Sequence, residues 1–481
     1  MAWQLLRHFD RLNETDSRVL RAFNFKRNMT IALFAQLVVL CIGVLKSVIL
    51  PYAMEVSDYG YWQQYLLYAG FVGIFALGFT DGVYLLYGDR DYDELPFGKL
   101  RSAFRFFCAM LALFAVLMIC YSSMLADKSR SFAMTFVSFD IFIACVSGLF
   151  IYILQITNQF LWYSICTVID KVIFVVLACA LISLGLVGFE YFVVADAACR
   201  MISLFLLCWR CRKMIFGSAD SLLAGFAEFS NNIKVGINLM FANFASMLTT
   251  NLGRFIVDVF GGLSNYAFYS FGISITNLVL TFVSAASYVL YPALKRVDTA
   301  QISGHYRRLS MACFIVGGVG LCLYFPVVWG VLVFYEKYAA SLSYLNILFV
   351  AAFFQAVMTL VANTFYKTLR LERRLFVVNL ECVVGFSLMA AVTFYMTHDI
   401  FWIAVSTAVT AGLRCIMSEA ELAKYLSVGI WPVITCQIVL VAGFVACSSA
   451  GVSAAEGLGG FAALLLILAV ALQRILRRKA S

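Results

Sequence analysis

Long apolar runs alternate with short polar segments along nearly the whole chain. Each run has about 20 residues or more, so at a rise of about 1.5 Å per residue an α-helix could cross the hydrocarbon layer of a membrane. The alternation of apolar and polar residues that a transmembrane β-barrel requires is absent. The pattern predicts an all-α polytopic membrane protein with about fourteen transmembrane helices. The predicted spans are 29–53, 62–87, 103–126, 132–154, 164–187, 190–209, 236–258, 266–292, 310–334, 342–366, 376–397, 400–422, 430–449 and 458–475.

The composition supports this class. The 481 residues are 63% hydrophobic and 13% charged, whereas soluble domains average about 45–50% apolar and about 25% charged residues. The fifteen cysteines are scattered through apolar runs and the three histidines are far apart, so neither residue type suggests a metal site. Because no G-x-x-x-x-G-K-[ST] loop occurs, direct use of ATP is not expected. We expect a transporter without catalytic residues, metal or cofactor; a coupled ion, H⁺ or Na⁺, stays an open possibility.

Lysine and arginine cluster in alternate connections, on the side that carries both termini. Basic residues mark cytoplasmic loops, so both termini are predicted to be cytoplasmic. The net charge of +9 is spread over separate short loops, which indicates membrane topology and not nucleic-acid binding. Residues 1–28 are polar and basic and lack a signal-peptide pattern. They are predicted to form a cytoplasmic amphipathic segment.

The sequence contains an internal repeat. The connector SDYGYW at 57–62 has a counterpart, SNYAFY, at 264–269. Lys46, within an apolar run, precedes the first copy, and Arg254 precedes the second at nearly the same distance. YLLYG and YVLYP follow the two copies, each before a basic loop. An even number of predicted helices separates the copies, so the repeat is predicted to be parallel, about an axis along the membrane normal.

The repeat predicts two pseudo-symmetric six-helix lobes. The expected order is the N-terminal segment, an N-lobe at 29–209, a cytoplasmic amphipathic linker at 210–235, a C-lobe at 236–423, and two further helices with a basic cytoplasmic tail at 424–481. The alternative is that interfacial aromatics and basic loops recur in unrelated membrane proteins.

The stretch SDYGYWQQYLLYAGFVGIFALGFTDGVYLLYG, at 57–88, resembles the first helical hairpin of the Wzx-type polysaccharide flippases of the MOP exporter superfamily. Tyr59-Gly60 matches the connector of that family, Gly78 to Asp81 its G-x-x-D/N motif, and Tyr84 to Gly88 its aromatic helix end. YVLYPALKR, at 288–296, is similar to the end of the eighth helix in the family. The resemblance implies two lobes around a cavity lined largely by helices 1, 2, 7 and 8.

The resemblance also implies a function. These proteins move a polyprenyl-diphosphate-linked oligosaccharide, as in O-antigen or exopolysaccharide synthesis, from the cytoplasmic to the outer leaflet of the bacterial inner membrane. A polysaccharide polymerase and glycosyltransferases are the expected partners. A diphosphate and sugars would meet a prohibitive desolvation cost in hydrocarbon, so the protein must supply a polar or charged path.

Ionisable side chains inside membrane-spanning helices are costly to bury and are therefore candidate functional groups. Lys46 and Arg254 are predicted to form a positive cavity wall, where Arg suits bidentate phosphate contact. Asn243 and Asn251 are predicted to line a sugar path, and Asp81 to line or gate the cavity. The structural alternatives are snorkelling, an ion pair between Arg254 and its helix neighbour four residues on, and hydrogen bonds that join helices.

Further charged residues are candidates for gating or ion coupling, in addition to Asp81. They are Asp258, Asp170, Lys171, Asp196 and Arg200. Asp170 directly precedes Lys171, and Asp196 precedes Arg200 by four residues, so structural ion pairs are the alternative for both. Asp140 and Arg414 are interpreted in the same structural way.

Other function classes stay open. A drug-exporting antiporter of the same superfamily should carry acidic residues in its cavity, whereas the predicted cavity residues include Lys46 and Arg254. An integral-membrane glycan polymerase or ligase usually needs a sizeable outer loop, and the predicted outer connections are short. A scaffolding protein would not need buried cations at equivalent positions.

Overall fold

The computed structural model describes residues 34–88, 90–294, 302–369, 371–449 and 453–478. The predicted cytoplasmic segment at 1–28 and the last residues of the basic tail lie outside them. The described residues form helices and no strands. The α-helices are α1 (Phe34–Ala53), α2 (Val56–Phe71), α3 (Phe79–Leu86), α4 (Phe97–Ser123), α5 (Lys128–Ile156), α6 (Phe160–Ser183), α7 (Phe189–Arg210), α8 (Arg212–Ile215), α9 (Leu222–Phe260), α10 (Leu263–Leu294), α11 (Ile302–Cys322), α12 (Tyr324–Phe334), α13 (Leu342–Val357), α14 (Asn363–Thr368), α15 (Glu372–Thr397), α16 (Ile400–Tyr425), α17 (Trp431–Ser449) and α18 (Ala454–Arg478).

The predicted fold class is confirmed. Within the described residues, eleven helices are long and apolar enough to cross a membrane, and α2 with α3 makes a twelfth, broken span. Helices α9 and α10, of 39 and 32 residues, cover the two remaining predicted spans. The chain is therefore a multi-pass helical membrane protein.

Two segments are more helical than the sequence pattern indicated. The motif SDYGYW was interpreted as a connector, but α2 already begins at Val56, so Gly60 lies inside a helix. A Cβ at Gly60 would press on Leu263, which indicates that glycine serves close packing there and not a turn. Residues 222–235, predicted as part of a linker, are the first turns of α9.

The chain divides into two compact units. The first comprises Met1–Gly43, Val72–Gly185 and Phe192–Met240, and the second comprises Val44–Phe71, Leu186–Tyr191 and Phe241–Ser481. The predicted lobe boundaries stay a prediction.

In the first unit, aromatic rings and glycines determine how the helices pack. The Phe79 ring stacks on Phe107 with centroids 4.5 Å apart and lies 5.5 Å from Phe229. The second span is broken at Gly78, where φ is 81°, a left-handed conformation that glycine adopts without strain. A Cβ at Gly82 would collide with the backbone of Asn232. Helices α3 and α9 therefore cross at backbone contact, as small residues permit in membranes.

In the second unit, α13 is the central helix. Its buried residues lie on every side and include Leu345, Phe349, Phe353 and Val357, which is the pattern expected of a helix enclosed by others. A turn of π-helix, Met358–Ala362, follows α13. This arrangement brings α9, α10, α15 and α16 together with α13 around the cavity described next.

Candidate functional site

A cavity of about 310 Å³, lined by both polar and apolar side chains, lies within the second unit. That volume is at the lower end of the range for small-molecule sites, about 300–1,000 Å³. Its polar lining residues are Thr249, Thr250, Asn251, Thr276, Asn277, Gln355, Thr359, Thr407, Thr410 and Arg414. Hydroxyl and amide groups dominate this list, and a single cation accompanies them. Among the described residues, no acidic side chain lines the cavity.

Arg414 is the charged group of this cavity and is only 4% exposed. Its Nε donates to Asn379 Oδ1 at 2.9 Å. A terminal guanidinium nitrogen donates to Thr249 Oγ1 at 3.2 Å and to Gln355 Oε1 at 3.4 Å. All three partners are neutral, and within the described part of the chain no carboxylate lies within ion-pair distance of Arg414.

A buried charge without a counter-charge is energetically unfavourable unless hydrogen bonds or a ligand compensate it. Neutral hydrogen bonds orient the Arg414 guanidinium and leave its positive charge unbalanced. A guanidinium fork binds carboxylate and phosphate groups bidentately. The cavity therefore has the chemistry to bind an anionic group, with hydroxyls and amides for neutral polar groups around it.

The local sequence explains this geometry. In α16, Thr407, Thr410 and Arg414 are spaced by three and four residues, so they follow one face of the helix. In α13 and the turn after it, Gln355 and Thr359 are four residues apart and share a face. The π-turn begins between them, at Met358, and such turns occur frequently at functional sites.

Of the predicted substrate-binding residues, Asn251 lines the cavity. Its Nδ2 donates to the Met247 carbonyl at 3.2 Å. Asn243 lies two turns earlier on α9, exposed and outside the cavity lining.

Lys46 and Arg254 are both half-buried and both lie near an aromatic ring of the repeated motif, outside the cavity lining. The ammonium of Lys46 is 5.6 Å from the centroid of the Trp62 ring. The Arg254 guanidinium is 6.0 Å from the centroid of the Tyr266 ring. These are cation–π distances.

Arg254 also joins α9 to α2. It donates to Gln63 Oε1 at 2.6 Å, and the Tyr266 hydroxyl donates to the Gln63 carbonyl at 2.9 Å. One turn on, buried Asp258 accepts hydrogen bonds from Gln64 and, at 2.6 Å, from the Tyr68 hydroxyl. The Arg254–Asp258 ion pair considered from the sequence is thus replaced by contacts of each residue with α2.

Asp81 is buried in the first turn of α3, within the first unit. It closely follows the break at Gly78 and directly precedes the close crossing at Gly82. Its position at a helix break is compatible with either gating or packing.

The remaining predicted residues form ion pairs in the first unit. Lys171 lies 3.2 Å from its neighbour Asp170. Arg200 contacts Asp196 at 2.7 Å and also Asp140, on α5, at 3.2 Å. Both partners of Arg200 are buried, and Asp140 is 0% exposed.

Arg414 was interpreted from the sequence as a structural residue, and the threonines and Gln355 were not singled out, whereas the structure places all of them in the cavity lining. A signal was present, because polar residues at helical spacing in an otherwise apolar helix mark an inward-facing stripe. Among the described residues, no group of histidine, cysteine, aspartate and glutamate side chains could hold a metal ion.

Comparisons with known proteins identify the fold. The lipid II flippase MurJ in an inward closed conformation is similar over 96% of this chain and 99% of its own, with a TM-score of 0.56 and 12% identity. An outward-facing multidrug resistance MATE family transporter of the MOP superfamily is similar over 84% of this chain and 95% of its own, with a TM-score of 0.54 and 14% identity. The MATE multidrug transporter DinF-BH gives a TM-score of 0.53 at 12% identity, over 83% of this chain and 95% of its own.

No family model and no curated protein sequence matches the chain. At such low identity the similarity establishes the fold alone. The chain has the fold of MOP-superfamily transporters.

Proposed function

We propose that this chain is a flippase that moves a polyprenyl-diphosphate-linked oligosaccharide from the cytoplasmic to the outer leaflet of a bacterial inner membrane. The proposal combines the MOP-type fold, the resemblance of residues 57–88 to polysaccharide flippases, and the chemistry of the cavity in the second unit.

The observation that carries the proposal is Arg414, a buried cation with neutral partners that faces a cavity of hydroxyls and amides. A diphosphate would supply the missing negative charge. Threonine, asparagine and glutamine side chains would replace water around the first sugar, because each can donate and accept hydrogen bonds. The lipid chain would stay in the bilayer, where its burial costs nothing.

Transport would proceed by alternating access. The head group enters the cavity from the cytoplasmic leaflet, the protein closes on that side, and opening on the other side releases it. Lys46 and Arg254 are proposed to contact the diphosphate along this path, and Asp81, Asp258, Asp170, Lys171, Asp196 and Arg200 to take part in gating or in coupling to H⁺ or Na⁺.

The cavity argues against the drug-antiporter alternative. Cationic drugs require negative charge or an acidic acceptor in the site, whereas the described lining contains one arginine and no acid. Anionic small molecules stay compatible with this lining, so the experiment must identify the substrate as a lipid.

A deletion strain, complemented with plasmid-borne variants, tests the proposal. We expect the deletion to accumulate a lipid-linked oligosaccharide in the cytoplasmic leaflet, the wild type to restore surface glycan, and Arg414→Gln to fail at equal membrane abundance. Lys46→Ala and Arg254→Ala test the other two cations in the same strain. Normal surface glycan in the deletion, in a cell without a second flippase, would refute the function; full complementation by Arg414→Gln would refute the cavity assignment.

A further inference from the structure

A second pocket, of about 320 Å³, lies in the first unit, where the end of α7 meets the connections between helices. The connection between α3 and α4, the turn between α5 and α6, and the segment where α7 ends and α8 begins enclose it. Its lining residues are Tyr92, Asp93, Gln159, Arg210, Arg212 and Lys213. Every one of these side chains is polar, and the cations outnumber the carboxylate by two.

Arg210 is held between two aromatic rings. Its guanidinium carbon is 5.6 Å from the centroid of the Tyr92 ring and 5.8 Å from that of Trp162. Cation–π contacts of this kind fix the guanidinium without neutralising it. In the described part of the chain, Arg210 has no carboxylate partner, and its buried Nε makes no hydrogen bond.

The other cations differ from Arg210. Lys213 is paired with Asp93 at 2.7 Å, whereas Arg212 is exposed to solvent. Arg101 fixes the backbone of this segment, because its Nε donates to the Lys213 carbonyl at 2.8 Å and another nitrogen donates to the Ser218 carbonyl. Contacts of Arg101 and Asp93 therefore hold the segment that forms the pocket. The positive charges of Arg210 and Arg212 stay available to an anionic ligand.

Neutral groups around the pocket also lack partners. Burial raises the pKa of Tyr92 to about 12, so its hydroxyl keeps its proton at neutral pH. That hydroxyl and Gln159 Oε1 are buried without a hydrogen-bond partner among the described residues. Gln159 Nε2 donates to Thr157 Oγ1 at 3.1 Å, and the Thr157 hydroxyl in turn donates to the Ile153 carbonyl at 2.7 Å. Gln159 Oε1 therefore stays an acceptor that a hydroxyl group of a bound headgroup could satisfy.

We propose that this pocket binds a phosphate group, carried by the headgroup of an anionic phospholipid or free in solution. Arg210 and Arg212, which form no ion pair with any described carboxylate, suit the charge and the bidentate geometry of phosphate better than those of a neutral headgroup. Trp162, in the first turn of α6, and Tyr92 are aromatic residues of the kind found at headgroup depth. The pocket shares no lining residue with the cavity around Arg414, so the proposal stands independently of the transported substrate.

The test uses the purified chain and native mass spectrometry with phosphatidylglycerol and phosphatidylcholine as lipid probes. The wild type is expected to bind phosphatidylglycerol preferentially, and Arg210→Gln to weaken that binding about tenfold, the loss expected when a charged hydrogen bond is removed. Arg212→Gln, an exposed position without a packing role, is expected to weaken it less. The matched control is Arg105→Gln, the same substitution at an exposed position of α4 in the same unit.

Calorimetric titration with inorganic phosphate distinguishes the two sources. If phosphatidylglycerol binds and inorganic phosphate does not, the ligand is the lipid. If both bind, and Arg210→Gln weakens both, the phosphate group is sufficient for binding without the rest of the lipid. Because Arg210→Gln also removes ring contacts, its thermal unfolding is measured alongside. The proposal is overturned if neither probe binds, or if Arg212→Gln and a folded Arg210→Gln bind as tightly as Arg105→Gln.

Discussion

Arg200 and Arg414, both in membrane-spanning helices, differ in how their charge is balanced. Arg200, in the first unit, contacts the carboxylates of Asp196 and Asp140. Arg414, in the second unit, contacts Asn379, Thr249 and Gln355, which are all neutral. Arg414 lines the cavity of the second unit, whereas Arg200 lies outside its lining. A cation that is paired with carboxylates joins helices. A cation whose partners are neutral, and which lies beside a cavity, is available to an anionic ligand.

The same substitution at both positions gives the largest expected contrast. Arg200→Gln leaves two buried carboxylates without this cation, so we expect a loss of about 3 kcal/mol in the free energy of unfolding, the lower end of the range for broken buried pairs because Arg200 is partly exposed. Chemical unfolding in detergent measures it. Unchanged stability would show that the contacts of Arg200 with Asp140 and Asp196 do not fix the packing of α5 against α7.

Arg414→Gln should behave in the opposite way. It removes a buried charge that has no counter-charge among the described residues, so the free energy of unfolding should stay the same or rise. Binding of a diphosphate-bearing lipid should weaken about 10- to 100-fold, the equivalent of one strong charged contact. Arg414→Lys keeps the positive charge but loses the two parallel donors of the guanidinium. Its affinity for the lipid should therefore lie between those of the wild type and Arg414→Gln. A clear loss of stability in Arg414→Gln would place Arg414 with Arg200 as a structural residue.

The neutral lining should contribute less than the cation. Gln355→Leu removes one hydrogen-bonding side chain of the cavity and one partner of Arg414. We expect substrate binding to weaken about fivefold, as for a neutral hydrogen bond worth about 1 kcal/mol. Leu345→Met, within the core of α13, is the control for a change on the same helix and should leave binding unchanged. If Gln355→Leu weakened substrate binding more than Arg414→Gln does, the neutral lining would contribute more to binding than the cation, contrary to this prediction.

The smallest effect is expected at Lys171. Its pair with Asp170 is partly exposed, with side-chain exposures of 35% and 19%, and pairs of this kind contribute about 0–1 kcal/mol. Lys171→Ala should change the free energy of unfolding by less than about 1 kcal/mol. A larger loss of stability would contradict the weak contribution of this pair, and loss of transport with stability retained would support the proposed role of Lys171 in coupling.

The sequence predicted the helices well because hydropathy is a local property, and a span of about 20 apolar residues is recognisable without knowledge of its neighbours. It did not reveal the helix start at Val56, because aromatic and glycine residues at 57–62 suit an interfacial connector as well as a packed helix. The close contact of Gly60 with Leu263 became visible only once α2 and α10 were placed together.

The site was predicted only in part, because its contacts join distant parts of the chain. Arg414 meets Thr249 across 165 positions and Gln355 across 59. Spacing along one helix therefore predicted the Asp196–Arg200 pair, but it could not show that no described carboxylate lies beside Arg414. Asn251, Lys46 and Arg254 were predicted as site residues because polar and charged side chains are unusual in apolar helices. Asn251 lines the cavity, whereas Lys46 and Arg254 lie beside the rings of Trp62 and Tyr266, contacts that the sequence alone does not reveal.

The role of Arg414 as the anion site is tested by a flipping assay with the purified chain in proteoliposomes that contain a fluorescent polyprenyl-diphosphate-linked oligosaccharide. We predict that the wild type moves the lipid between leaflets, and that Arg414→Gln, equally folded and equally reconstituted, moves it at least about tenfold more slowly. Equal rates for the wild type and Arg414→Gln would contradict the assignment of the unbalanced arginine as the anion site.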